Sequence, residues 1–108
     1  MKRILFVCSQ NKFRSPTAES IFSNIPGFEV SSAGINKDAV NPLTPEEIEW
    51  AEYIFVMEKF QRNKIQKKFK EYLNRKKIIC LDIPDEYEFM DPALIKILMI
   101  KLDKFFTK

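Results

Sequence analysis

Four short apolar runs alternate along the chain with stretches of helical periodicity. Ile4, Leu5, Phe6 and Val7 form an unbroken apolar run ending at Cys8, the pattern of a strand buried on both faces of a parallel sheet. Ser15 and Pro16 then read as an N-cap and a first-turn proline, with Ala18, Ile21 and Phe22 following at helical spacing. Gly27 breaks the chain, and residues 28–33 alternate weakly, as a strand nearer a sheet edge does. Asn36, Asp38, Asn41 and Pro42 mark a turn-rich segment. Thr44 then caps a short helix with Pro45, Glu46 and Glu47 in its first turn and Trp50 expected in the core. Residues 53–57 predict a third strand. Ile65, Phe69, Tyr72 and Leu73 stand at i, i+4, i+7 and i+8 and predict one amphipathic helix; residues 77–81 predict a fourth strand. Asp91 and Pro92 open a last helix with Leu94, Ile97, Leu98, Leu102 and Phe105 toward the core.

This alternation predicts an α/β fold in three layers, flavodoxin- or Rossmann-like, with a parallel sheet of about four strands flanked by helices and joined by right-handed crossovers. The 108 residues hold one such domain, spanning 1–108. Ligands in open α/β sheets bind beyond the carboxyl ends of the strands, where Cys8 and the segment after the fourth strand fall.

Composition narrows the chemistry. Apolar residues make up 45% of the chain and charged residues 31%, which suits a globular domain. The absence of histidine removes Ser-His-Asp triads, Cys-His dyads and His-ligated metals at once. Cys8 and Cys80 alone make neither a four-thiolate metal site nor a disulfide scaffold, and two glycines exclude glycine-rich nucleotide loops, so no metal or cofactor is expected. The N-terminal apolar run is too short for a signal peptide and no stretch reaches membrane-spanning length, which predicts a cytoplasmic protein with no membrane partner. Residues 59–77 carry nine basic side chains against the single acid Glu71, so this segment is +8 and the rest of the chain −5. A solvated helix face is the plain reading of that segment; binding to nucleic acid or to an acidic partner is the other.

The candidate chemistry lies between the first strand and the first helix. Cys8 and Arg14 stand six residues apart, separated by Ser9, Gln10, Asn11, Lys12 and Phe13. A tight strand-to-helix turn directs backbone N–H groups inward, the helix end adds a positive dipole, and Arg14 supplies a bidentate fork, so the loop suits a phosphate dianion. The same field favours a thiolate at Cys8, a nucleophile that needs no histidine. Ser15 stands ready to donate a hydrogen bond to that sulfur. The alternative for Cys8 is a small buried residue that ends a strand.

The chain resembles the low-molecular-weight protein tyrosine phosphatases. The resemblance lies in residues 4–8, Asn11, residues 14–19, Ser32-Ala33-Gly34, residues 53–58 and residues 83–87, in that order. It implies a phosphomonoester hydrolase acting through a phosphocysteine intermediate, without metal or cofactor, on a phosphorylated protein or a small phosphate ester. It makes Cys8 the nucleophile, Arg14 the phosphate clamp, Asn11 the residue that shapes the loop by an unusual backbone conformation, and Ser15 the thiolate's partner. It also implies a general acid just past the fourth strand, in an Asp-Pro-Tyr motif. Asp85 is the first candidate, with Tyr87 two residues on as a wall for an aromatic leaving group or a half-exposed packing residue. Asp91, which also serves as a helix cap, and Asp82, at the strand end, are the alternatives.

The chain departs from the family in several places. It is shorter between Gly34 and Thr44, which predicts a more open or differently built entrance and puts the usual substrate range in question. Gln10 replaces a usual glycine, Lys12 an aliphatic or threonine side chain, and Phe13 a frequent second cysteine. Lys12 either favours an acidic substrate or points to solvent. Glu86 stands in place of the motif's proline, which predicts a looser acid loop. The competing readings are a non-catalytic phosphate- or phosphoprotein-binding module, a nucleic-acid binder using the basic helix, and a thiol-dependent arsenate reductase. The last lacks the further cysteines it needs, since Cys80 is expected to be an inert core residue in mid-strand.

Overall fold

The computed structural model describes residues 1–74 and 76–106. The sheet contains β1 (Lys2–Cys8), β2 (Phe28–Gly34), β3 (Tyr53–Val56) and β4 (Lys77–Cys80) in the order β2-β1-β3-β4, every pair parallel. The helices are α1 (Arg14–Phe22), α2 (Pro45–Trp50), α3 (Lys59–Lys68) and α4 (Pro92–Phe106), with a 3-10 turn at Lys70–Tyr72.

Central β1 explains the layering. Successive side chains of a strand face opposite ways, and residues 4–7 are all fully buried. Ile4, Phe6 and Cys8 join one core with Ala18 and Phe22 of α1 and Leu94, Leu98, Leu102 and Phe106 of α4. Leu5 and Val7 join the other, with Ile48 of α2 and Ile65 of α3. The fold is therefore a flavodoxin-like three-layer α/β arrangement, and the parity of β1 decides that Cys8 faces the α1 side. The four buried side chains of α4 recur every four residues, each adding about 1.5–3 kcal/mol by burial. Phe22 and Phe106 stack at 4.3 Å, tying α4 to α1.

The chain leaves β1 for β2 on one side and then returns past β1 to β3 on the other. This reversal opens a crevice at the carboxyl end of β1, just beyond Cys8. Edge placement of β2 follows its weaker alternation. Three helix details differ from the sequence pattern. Helix α1 begins at Arg14 with Phe13 at the N-cap and no side-chain cap, because the Ser15 hydroxyl is turned to Cys8 instead of the helix end. The basic helix stops at Lys68, and Tyr72 and Leu73 reach the core only partly, from the 3-10 turn and the residue after it. On α4 it is Phe106 that is buried, with Ile97 and Phe105 packed at its margin. Trp50, expected in the core, is half-buried at the end of α2. Cys80 ends β4 at the sheet edge, half-buried, and bonds to Asp82 Oδ1 at 3.3 Å, so it is not a mid-strand core residue.

Candidate active site

The loop after β1 is held by its carbonyls. The C=O groups of Cys8, Ser9 and Gln10 accept from the N–H groups of Ile35, Asn36 and Val40 at 3.0, 3.0 and 2.9 Å. Planar trans peptides oppose each C=O to the following N–H, so the amides of Ser9, Gln10 and Asn11 point the other way, toward the sulfur side. Asn11 N–H accordingly donates to Cys8 Sγ at 3.2 Å. Asn11 reaches this geometry in the left-handed region, at φ 55, where asparagine is tolerated better than most residues. Gly34 makes the clasp possible. A Cβ there would stand 2.6 Å from Ala39 Cβ, 2.7 Å from Ser9 O and 2.9 Å from Asn11 N.

Behind the loop lies a closed polar network. Asn11 Nδ2 donates to Ser15 Oγ and Ser32 Oγ, both at 2.9 Å, and Ser32 Oγ donates to Glu19 Oε1 at 2.5 Å. Ser15 Oγ lies 3.0 Å from Cys8 Sγ. Among the described residues no buried side-chain N or O atom lacks a hydrogen-bond partner.

Arg14, at the first position of α1, is 3% exposed. Its Nη1 donates to Glu58 Oε1 at 2.6 Å and to the carbonyl of Ile83 at 2.7 Å. Both Nη1 hydrogens are thereby used, leaving the Nε and Nη2 edge of the fork to an incoming ligand. Asp85 Oδ1 is 3.8 Å from Arg14 Nε, and its side chain is 66% exposed. Ile83 is fully buried and its N–H donates to Met57 O, so the segment carrying Asp85 is anchored to the residue after β3 and to Arg14 together. The Glu86 N–H bonds to Pro84 O at 3.0 Å and closes the turn around Asp85. Glu86 in place of the expected proline thus adds a bond that proline has no hydrogen to make.

A concavity of about 60 Å³ is lined by Cys8, Ser9, Gln10, Lys12, Phe13, Arg14 and Asp85. Asn11 and Ser15 stand behind it, bonded to the sulfur. Tyr87 does not line it; the ring is half-buried against the α4 core. Of the three aspartates, only Asp85 belongs to it. Asp82, at φ 54, faces a separate surface hollow beside Glu58 and Pro84, and Asp91 caps α4 by accepting from Ala93 N–H at 2.9 Å. Lys12 is exposed, its Nζ 6.0 Å over the Phe13 ring. Gln61, which the sequence pattern did not single out, is fully buried. Its Oε1 accepts from the N–H groups of Met57 and Glu58, and its Nε2 donates to Ser9 Oγ at 3.2 Å. The sequence signal for it was a Glu-x-x-Gln capping box opening the basic helix. Among the described residues no group of three or more cysteines and carboxylates is placed to hold a metal ion, and no helix is long and apolar enough to cross a membrane.

Fold and loop together define an α/β protein with a buried cysteine and arginine on one concavity at the end of its first strand. Residues 3–53 match the low molecular weight phosphotyrosine protein phosphatase family. A protein-arginine-phosphatase of Geobacillus stearothermophilus is 31% identical over an alignment covering 64% of this chain and 63% of that one, so the matched stretch spans less than two thirds of the relative. The structure of YwlE arginine phosphatase from the same organism superposes with a TM-score of 0.80 at 26% identity, covering 97% of this chain and 90% of the other. A low molecular weight protein tyrosine phosphatase from Streptococcus pyogenes shares the fold at TM-score 0.78 and 17% identity, over 100% of this chain and 95% of that one. Over residues 3–53 the chain is similar in sequence to the low molecular weight phosphotyrosine protein phosphatases, and along nearly its whole length it shares their fold.

Proposed function

We propose that this chain is a cysteine-dependent phosphatase of phosphorylated proteins that works through a phosphocysteine on Cys8. The observation that carries this is the convergence of Cys8 Sγ, the free edge of Arg14 and the Asp85 carboxyl on one phosphate-sized concavity. The Cys8 thiolate, its charge held by Asn11 N–H and Ser15 Oγ, attacks phosphorus in line with the leaving oxygen. Arg14 and the inward amides bind the equatorial oxygens throughout. The phosphorus–oxygen ester bond breaks and Asp85 gives its proton to the departing oxygen. The ionised Asp85 then takes a proton from water, which attacks phosphorus and releases Cys8 as thiolate and inorganic phosphate. Ser9, Gln10, Lys12 and Phe13 line the mouth and contact the substrate. Tyrosine phosphate in a protein is the first substrate class. Phosphoarginine is the second, favoured by the relative that is named a protein-arginine-phosphatase. The two unpaired cysteines suit the reducing cytoplasm.

The test is hydrolysis of para-nitrophenyl phosphate by the wild type and by Cys8→Ser, with acid-quenched mass spectrometry of the wild type in turnover. A phosphate adduct on Cys8 and loss of turnover in the variant are expected. Turnover that survives in Cys8→Ser sinks the mechanism, and vanadate binding without turnover in the wild type makes the loop a binding module. Phosphotyrosine and phosphoarginine peptides in parallel then rank the two substrates.

A further inference from the structure

The basic segment plays no part in the chemistry above, yet the fold gathers it beside the catalytic loop. Lys64, Lys67 and Lys68, at i, i+3 and i+4 on α3, face Lys37 across a groove of about 450 Å³ walled by Ile35 and Asn36. No carboxylate lines it, and all four lysines are exposed. Among the described residues none of the four makes an ion pair. Lys64 and Lys68 lie over the rings of Phe60 and Phe69 at 5.8 and 5.5 Å, contacts that hold them on the helix surface. Like charges at these spacings repel one another, so the groove concentrates positive charge that no carboxylate in its lining offsets.

Both walls are bonded to the catalytic loop. On one side Ile35 and Asn36 donate to the carbonyls of Cys8 and Ser9; on the other Gln61 of α3 donates to Ser9 Oγ. We infer that this groove docks an acidic stretch of the protein substrate, a few residues from the phosphorylated side chain seated over Cys8. The inference rests on the phosphatase reading and adds a substrate class to it. An extended chain advances about 3.3 Å per residue, so residues close in sequence to the phosphorylated one reach a groove tied directly to the loop. A nucleic acid fits less well. None of the groove's lining residues is aromatic, so bases have no stacking platform within it. The rest of the chain carries −5 and repels a long polyanion.

The experiment compares two phosphotyrosine peptides, identical except for Asp and Glu or Asn and Gln in the flanks, with para-nitrophenyl phosphate as control. Wild type is expected to favour the acidic peptide by about fivefold to thirtyfold in kcat/KM at low salt, mainly through KM, with the preference fading as salt is raised. Lys64→Glu with Lys67→Glu is expected to erase the preference while leaving para-nitrophenyl phosphate hydrolysis within about twofold, since surface charge acts on the docked segment and not on the phosphate. Equal kcat/KM for the two peptides in the wild type, or a preference that survives the double substitution, overturns the inference. A single-stranded oligonucleotide that binds the groove more tightly than the acidic peptide also overturns it, in favour of nucleic acid. Binding of the same peptides to Cys8→Ser, read by fluorescence anisotropy, scores the groove apart from turnover. A protein inactive on para-nitrophenyl phosphate would therefore fail the phosphatase reading without obscuring the docking result.

Discussion

Arg14 Nη1 donates to the backbone carbonyl of Ile83 at 2.7 Å, joining the helix that follows the phosphate loop to the segment that carries Asp85, 69 residues further along the chain. One buried guanidinium thus ties the loop after β1 to the turn that carries Asp85. With Glu58 on the same nitrogen, the arginine is neutralised and oriented before any substrate arrives.

Arg14→Lys removes that double anchoring, because an ammonium on a flexible stem offers no fork. A fall of about 10²–10³ in kcat/KM on para-nitrophenyl phosphate is expected, together with a lower melting temperature as Ile83 O and Glu58 lose their donor. A variant with wild-type kinetics would show that Arg14 does not bind the phosphate.

Asp85→Asn keeps the shape of the loop and removes its proton. The loss is expected to grow with the basicity of the leaving group, about a hundredfold or more for phenyl phosphate and much less for para-nitrophenyl phosphate. Burst kinetics across a leaving-group series checks it; equal losses throughout would move the acid to another residue. Asp82→Asn and Asp91→Asn serve as controls, with activity close to wild type.

Gly34→Ala drives a methyl group into Ala39, Ser9 and Asn11. Overpacking of this kind costs about 1–3 kcal/mol, and the backbone that gives way is the catalytic loop. Thermal unfolding together with kinetics is expected to show kcat falling by more than the stability loss explains.

Asn11 separates backbone from side chain. Asn11→Ala loses the bonds to Ser15 and Ser32 and strains the positive φ, for about 2–4 kcal/mol. Asn11→Gly is expected to recover about 1 kcal/mol of this in chemical denaturation, since glycine adopts that φ freely. It is expected to leave activity low, because the hydroxyl beside Cys8 remains unoriented. Recovery of activity in the glycine variant would make the backbone alone responsible.

Burial pushes the Cys80 thiol above its ordinary range. The protonated form is inert, so in Cys8→Ser the remaining thiol is expected to react with a disulfide reagent more slowly than in the unfolded chain near about pH 8, and to catch up as pH rises further. By linkage, protection of the protonated thiol supports folding below the unfolded-state value and is lost as pH climbs through the raised one. A folded-state rate equal to the unfolded one would remove the desolvation.

Wherever the determining forces are local, they were written in the sequence. The unbroken run before Cys8 specified a strand buried on both faces, its parity placed the thiol, and Thr44 with Glu47 wrote a capping box that the structure contains. The six-residue interval between Cys8 and Arg14, between a strand and a helix, marked the anion cradle. Tertiary packing decided what those signals left open. Among Asp82, Asp85 and Asp91 the sequence ranked Asp85 first by its motif alone; the bonds from Ile83 N–H to Met57 O and from Arg14 to Ile83 O are what set it beside Arg14. Ser15 looked like a helix cap because capping is the local use of a serine there. The fold instead supplied a nearer partner in Cys8 Sγ, and the helix began two residues early. Gln61 and Glu58 became part of the site because the crevice beside β1 brings the start of α3 against the loop. Periodicity and capping act over four residues or fewer, whereas the bonds of Arg14 to Glu58 and Ile83 and of Gln61 to Ser9 join groups 44 to 69 residues apart and exist only once the sheet has assembled.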